Sequence, residues 1–245
     1  MPVIHLSPSA REMNLTVSSG PEEYWMNRLI NTMVPYLNSS GIRFTRNTPE
    51  ITSGASILAL SGGNDELRLI LHANVSPERQ GGSRGILVLY CRESYQEKQA
   101  AGVFSDNLKR LYPLPHEVRA EPTVLADGAG KSRAPSIHLE LGYFDNPDDA
   151  AWLQNNLELI ARNLVLSLSQ YFGTPFLEPR PLRQAVVDVN WGKLNLRSRP
   201  DQTAPVLASA CDGTGLTVIN QWQNWHLVRF NNVVGYASAD SLTLV

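Results

Sequence analysis

Apolar, strand-like runs alternate with amphipathic segments through the first two thirds of the sequence. The patterns predict strands at 2–6, 67–73, 85–91 and 134–144. They predict helices at 21–41, 95–112 and 148–172. Such alternation is typical of βαβ connections, so we expect an α/β domain with a mostly parallel sheet flanked by helices. In the first helix, Pro35 is expected to introduce a kink or an early end.

The pattern changes after a proline-bearing segment that holds three prolines between 175 and 181. Short alternating runs follow it, separated by Asp-Gly and Asn-Asn turns, and they predict a small all-β barrel. We therefore expect an α/β domain over 1–174, a linker over 175–185 and a barrel over 186–245.

Composition excludes several classes of function. The 245 residues are 42% hydrophobic and 18% charged with a formal net charge of -2, which gives no electrostatic basis for binding nucleic acid or an anionic membrane. No apolar run approaches the length of about 18 residues that a membrane span needs. Cys91 and Cys211 are far apart and form no Cys-x-x-Cys pair, so a metal here needs histidine and carboxylate ligands. Composition leaves the oligomeric state open.

The N-terminal residues "MPVIHLSPSARE" lack the basic and apolar regions of a secretory signal. We expect a protein that is made in the cytoplasm without a signal peptide.

Candidate chemistry gathers where predicted strands end, since parallel sheets bind ligands beyond the carboxyl ends of their strands. His72 and Asn74 end one strand, and Glu140 lies on another that is otherwise apolar. A buried carboxylate is costly unless it is paired, metal-bound or functional. Glu22 and Glu23 open the first helix, where acids also complement the helix dipole. A salt bridge from Glu140 to Arg133 or Arg11 and a packed His72 are the structural alternatives.

Three segments resemble the zinc-dependent N-acetylmuramoyl-L-alanine amidases of the amidase-3 type, which include cell-wall amidases and phage endolysins. They are "EYWMN", "LILHANVS" and "PSIHLELGYFDNPDDAAWL", and the resemblance covers roughly 2–173. It implies that Glu23 and His72 are zinc ligands and that Glu140 is the catalytic carboxylate. It also implies that Asn74, which ends the His-Ala-Asn run, is a ligand-binding residue.

The first motif departs from this family, because Ala10 stands where the family has a zinc-binding histidine. "LSPS" resembles a divergent branch that opens with Leu-Ser-Pro-Ser. The third zinc ligand is therefore unidentified; Glu12 and His5 rank slightly ahead of His138 and His116.

In the family, zinc activates a water molecule for attack on the amide, and the glutamate moves its proton to the leaving amine. The main expectation is thus a peptidoglycan hydrolase that cleaves the bond between N-acetylmuramic acid and L-alanine. The alternative is a catalytically inactive homologue that binds the cell wall, since Ala10 removes a ligand. A metal-free hydrolase using Ser7 or Ser9 is a weaker possibility, because neither lies in a Gly-x-Ser-x-Gly motif.

The C-terminal segment from Gly192 to Leu244 resembles the bacterial SH3 domain, with "LNLRSRP" near its start and Gly-Tyr-Ala near its end. Such domains commonly bind cell-wall peptides, so the resemblance implies peptidoglycan as the partner and places Trp222 and Tyr236 in a peptide groove. Core filling is the alternative for these aromatic residues. Without a signal peptide, we expect access to the wall after lysis, as for an endolysin, or by separate export.

Overall fold

The computed structural model describes residues 1–9, 20–47, 66–77, 81–123 and 134–245. The chain divides into two compact units, each assembled from separate segments. The sheet unit consists of Val3–Val34 and Phe44–Tyr171. The barrel unit consists of Met1–Pro2, Pro35–Arg43 and Phe172–Val245.

A six-stranded sheet forms the sheet unit, with strand order β2-β1-β3-β6-β4-β5. Its strands are β1 (Val3–Pro8), β2 (Arg43–Arg46), β3 (Leu67–Asn74), β4 (Ile86–Cys91), β5 (Val118–Thr123) and β6 (Ser136–Tyr143). β1 pairs with β3, β3 with β6 and β4 with β5 in parallel, whereas β4 runs antiparallel to β6. The mostly parallel sheet predicted from the sequence is confirmed.

The helices are α1 (Glu22–Ser39), α2 (Tyr95–Lys109), α3 (Pro147–Asn155) and α4 (Leu157–Phe172). α1 continues past Pro35 to Ser39 and does not end early. The last predicted helix is two helices, because Asn156 adopts a non-helical conformation with φ -122 and ψ 21. The side chain of Asn146 caps α3 by accepting from the backbone N–H groups of Asp148 and Asp149. Within the described residues, no helix is long and apolar enough to cross a membrane.

One face of the central strands is apolar and completely buried. Leu69 and Leu71 on β3 share this face with Ile137 and Leu139 on β6, and none of the four has exposed surface. Burial of each such side chain contributes about 1.5–3 kcal/mol to folding. The apolar residues thus fix the register of β3 against β6, since a one-residue slip would move them to the opposite face.

The fully buried carboxylate of Asp149 ties the start of α3 to three neighbouring segments. It accepts hydrogen bonds from the backbone N–H groups of Gly85 and Tyr143, from Arg84 Nε and from the Tyr112 hydroxyl. These bonds satisfy a charge that would otherwise be expensive to bury. The carboxyl end of β6 and the segment leading into β4 are therefore held together.

A seven-stranded antiparallel sheet, with strand order β13-β7-β10-β11-β12-β8-β9, forms the C-terminal barrel. Its strands are β7 (Arg183–Val187), β8 (Lys193–Arg197), β9 (Val206–Cys211), β10 (Gly215–Trp222), β11 (Trp225–Phe230), β12 (Val233–Ser238) and β13 (Leu242–Leu244). Small and branched apolar residues, including Val187, Leu196, Val218, Val228 and Ala237, form its core. The predicted small all-β barrel is confirmed.

Tyr236 and Leu227 are paired across β12 and β11, on the face opposite the core residues Val228 and Ala237. Both side chains are fully buried. On the same face Asn220 donates to the backbone carbonyl of Glu178, 2.8 Å away. This face of the barrel is therefore covered by the protein's own chain.

Candidate active site

The second face of the central strands is polar, in contrast to the apolar face. His72 on β3 lies directly across from Glu140 on β6, and their side chains share this face because the two strands are parallel and in register. His138, two residues before Glu140, lies on the same face, and its ring stacks on that of His72 with centroids 5.9 Å apart. The fold thus brings two of the predicted site residues, His72 and Glu140, together on neighbouring strands.

The first turn of α1 supplies a second carboxylate to this site. Oε1 of Glu22 lies 3.0 Å from Nδ1 of His72 and accepts a hydrogen bond from the backbone N–H of Ala73, also at 3.0 Å. The Glu22 side chain is completely buried, whereas that of His72 is 17% exposed. An acid and an imidazole nitrogen therefore meet at the carboxyl end of β3, in a site that keeps some access to solvent.

Glu23, the predicted ligand, is on a different side of α1. Glu22 precedes the fully buried Met26 and Leu29 by four and seven residues, so it continues the buried stripe of the helix. Glu23 precedes Asn27 by four residues and lines a surface cleft with it. The carboxylate beside His72 is therefore that of Glu22. The spacing of apolar residues along the helix indicates that Glu22 is on the buried side, whereas the Glu-x-x-x-Asn spacing gives no information about burial.

Glu140 sits in the middle of a lateral row of side chains on the polar face. Its other neighbour is Leu87 on β4, and Arg119 on β5 follows Leu87 in register. Burial and then the charge of Glu140 raise the pKa of Tyr143 above its ordinary value. The Glu140 carboxylate is thus close enough to influence the pKa of Tyr143 at the carboxyl end of β6.

The loops that follow β3 and β6 are joined by Asp145. Its carboxylate accepts hydrogen bonds from the backbone N–H and the hydroxyl of Ser76 and from the backbone N–H of Gly81. Burial alone raises the pKa of Asp145, but these hydrogen bonds outweigh it and hold the pKa below its usual value. Asn74, the predicted ligand-binding residue, ends β3, and its side-chain oxygen accepts from the N–H of Val75.

The other proposed third ligands are dispersed. His5 is buried, and its Nδ1 lies 2.8 Å from the hydroxyl of Thr45. His116 lies in an exposed 3₁₀ turn beside Glu117. Ala10, Arg11, Glu12 and Arg133, on which the remaining expectations depend, lie outside the described residues.

The two serines considered as nucleophiles are both buried. The hydroxyl of Ser7 accepts a hydrogen bond from the side chain of Asn47, and the backbone N–H of Ser9 donates to Leu71. The arrangement therefore gives no support to a serine nucleophile.

His72 and Glu22 are suited to zinc, which binds imidazole nitrogen and carboxylate oxygen. A catalytic zinc site normally takes three protein ligands. Within 1–9, 20–47, 66–77, 81–123 and 134–245, no group of three histidine, cysteine or acidic side chains is placed to hold a metal. Among the described residues, His72 and Glu22 thus fit two of the three ligand positions of such a site.

In the barrel, Trp222 and Tyr236 differ in access to ligands. Trp222 ends β10 and is 39% exposed. Tyr236 has no exposed surface and therefore offers none to a peptide, in contrast to the predicted groove. The Gly-Tyr-Ala motif places Tyr236 on β12. The motif does not show that Tyr236 is buried, because the burial comes from the chain segment that covers this face of the barrel.

The chain thus combines an α/β domain, in which His72 of β3 lies beside Glu22 of α1 and across from Glu140 of β6, with a small antiparallel barrel. Residues 16–170 match the family model for N-acetylmuramoyl-L-alanine amidase, and 192–243 match that for the bacterial SH3 domain. The chain belongs to the N-acetylmuramoyl-L-alanine amidase family. Its C-terminal part is a bacterial SH3 domain.

Solved structures of amidases share the fold at low sequence identity. The CwlD amidase from Clostridioides difficile, solved in complex with the GerS lipoprotein, is 15% identical with a TM-score of 0.62, over 71% of this chain and 99% of that one. The amidase AmiC2 of Nostoc punctiforme is 15% identical with a TM-score of 0.59, over 70% and 97%.

The catalytic domain of the CD27L endolysin, which targets Clostridia difficile, is 17% identical with a TM-score of 0.56, over 69% of this chain and 97% of that one. A search of curated proteins found no match.

Proposed function

We propose that this protein hydrolyses the amide between N-acetylmuramic acid and L-alanine in peptidoglycan, with zinc held by Glu22 and His72 and with Glu140 as the catalytic carboxylate. One observation carries the proposal: the buried carboxylate of Glu22 faces Nδ1 of His72 at 3.0 Å, and Glu140 lies across from His72 on the adjacent strand. Membership in the amidase family supports the substrate.

Zinc bound to this pair would act as a Lewis acid on the amide carbonyl and promote deprotonation of the attacking water. Glu140 takes the proton from that water and delivers it to the nitrogen of L-alanine as the C–N bond breaks. Its position in register with His72 supports this role, because the two side chains share the polar face of adjacent strands. Glu22 keeps its orientation through the N–H of Ala73.

We expect the protein to release L-alanine amino groups from an N-acetylmuramoyl-L-alanyl peptide, and to lose that activity when zinc is removed. The test compares untreated protein, protein stripped with a chelator and dialysed, and stripped protein reloaded with zinc. New amino groups and bound zinc per chain are measured in each sample. Hydrolysis that survives complete removal of metal would contradict zinc dependence.

An inactive wall-binding homologue is the second candidate, and it is favoured by the lack of a three-donor group within the described residues. It predicts that the untreated protein contains no stoichiometric zinc, releases no amino groups and still sediments with purified cell walls. Stoichiometric zinc together with turnover would eliminate it.

We propose further that the barrel binds the wall through its exposed aromatic surface at Trp222. Replacing Trp222 with alanine should lower the fraction that sediments with purified peptidoglycan, because stacking by an exposed tryptophan contributes about 1 kcal/mol or more. The expected loss in affinity is about fivefold to tenfold, with hydrolysis of a small soluble substrate unchanged.

A matched control is Leu207→Ala, which removes another exposed apolar side chain of the barrel on β9. Equal sedimentation of both variants and the unmodified protein would refute the role of Trp222.

For localisation, we propose synthesis in the cytoplasm and access to the wall after lysis or by a separate export route.

A further inference from the structure

A cleft of about 500 Å³ runs along the outer side of α1 from its first turn. Its lining includes Glu23, Tyr24, Asn27, Arg28, Asn31 and Arg46. One end of the cleft lies at Glu23, the residue that follows Glu22 in the first turn of α1. The other end reaches Asn31, two helical turns further along α1.

Arg46 of β2 is fixed in this cleft by two neutral partners. Its Nη1 donates to Oδ1 of Asn31 at 2.6 Å, and its Nη2 donates to Oδ1 of Asn27 at 2.8 Å. Asn27 is itself held, because its amide nitrogen donates to the backbone carbonyl of Glu23. Within the described part of the chain, two of the five guanidinium N–H groups are thus used and three are left for a ligand.

Among the described residues, no acidic side chain forms a salt bridge with Arg46. Partial burial of the guanidinium lowers the pKa of Arg46, which reflects the cost of holding this charge away from water. A half-buried cation with free donors and only amide partners is complementary to a carboxylate, which it can bind in bidentate fashion.

We propose that Arg46, positioned by Asn27 and Asn31, binds a free carboxylate of the peptidoglycan stem peptide, and that this contact selects substrates in which that carboxyl group is not amidated. The inference rests on the proposed amidase function, since it assigns the cleft to the peptide half of that substrate.

The length of the cleft sets which carboxylate is bound. Asn27 and Asn31 follow Glu23 by four and eight residues, which corresponds to about 6 and 12 Å along the helix axis. An extended peptide advances by about 3.3–3.6 Å per residue. The carboxylate at Arg46 therefore belongs to the second or third residue of the stem, counted from the L-alanine. The negative charge of Glu23 disfavours a carboxylate at the near end of the cleft.

The test uses two N-acetylmuramoyl tripeptides that differ only in the second and third residues, whose carboxyl groups are free in one and amidated in the other. The unmodified protein should show a kcat/KM about tenfold or more higher for the free acid, the size expected for a charge-assisted pair. Arg46→Gln should remove this preference through a higher KM for the acid, and leave the amidated substrate unchanged. Arg43→Gln, on the exposed start of the same strand, is the matched control.

Equal kcat/KM for both substrates in the unmodified protein, or an equal loss for both in Arg46→Gln, would overturn this inference while leaving the amidase function intact. If the protein hydrolyses neither substrate, the amidase function fails instead. Calorimetric titration with the same two tripeptides then decides the inference. Tighter binding of the acid that is lost in Arg46→Gln supports it, and equal binding refutes it.

Discussion

Replacing Glu22 with glutamine is expected to abolish stoichiometric zinc binding and to lower amidase activity by more than about 100-fold. The buried carboxylate faces Nδ1 of His72, and a neutral amide is a far weaker zinc ligand than a carboxylate. Changes to residues that only support a ligand already cost about 10–100-fold, so losing a ligand costs more. Zinc per chain after dialysis and the release of L-alanine amino groups are the two measurements.

Glu23→Gln is the matched control, since it changes the adjacent acid in the same helical turn. It should retain zinc and most activity. In Glu22→Gln, the amide oxygen can still accept the hydrogen bond from the N–H of Ala73. We therefore expect this variant to fold, and a thermal unfolding measurement tests that. His72→Ala, which should also lose zinc, provides a second variant. If Glu23→Gln lost zinc and Glu22→Gln retained it, Glu23 would be the metal ligand, as predicted from sequence spacing, and Glu22 would not.

Replacing Glu140 with glutamine should lower kcat by about 10²–10⁴-fold while zinc content and KM stay nearly constant. Glutamine has the same shape but cannot accept the proton of the attacking water, and general acid–base catalysis contributes a factor of this size. Steady-state hydrolysis of the soluble N-acetylmuramoyl-L-alanyl peptide and metal analysis of the same preparation measure the two effects.

Glu93→Gln, at an exposed position outside the sheet, controls for the loss of one negative charge. Zinc loss in Glu140→Gln would make Glu140 a metal ligand, and near-normal kcat would exclude it as the proton carrier.

Periodicity was sufficient to predict the class of fold, because the strands and helices of the sheet unit have strong and distinct apolar patterns. β3 and β6 lie close to their predicted positions. The antiparallel pairing of β4 with β6 could not be predicted, since it depends on long-range connections and not on the residues within either strand. The break at Asn156 was also missed, because apolar residues continue on both sides of it.

In the candidate site, motif spacing pointed to His72 and Glu140, which lie across from each other on neighbouring strands, and to Glu23 on α1. Neighbouring helical residues point about 100° apart, so the first turn of a helix offers two acids with different surroundings. Only packing against the sheet selects Glu22 as the one beside His72. Tyr236 shows the same limit in the barrel, because its motif fixes its strand but not whether that surface remains exposed.

The oxygen of Glu22 that faces His72 also accepts the N–H of Ala73, the next residue along the same strand. Folding of the sheet therefore orients this acid relative to the imidazole before any ion arrives. In the proposed zinc site, capture of the ion would then require no preceding rearrangement of α1. The entropy of aligning these two side chains is lost during folding, so it would not reduce the affinity for the proposed ion a second time.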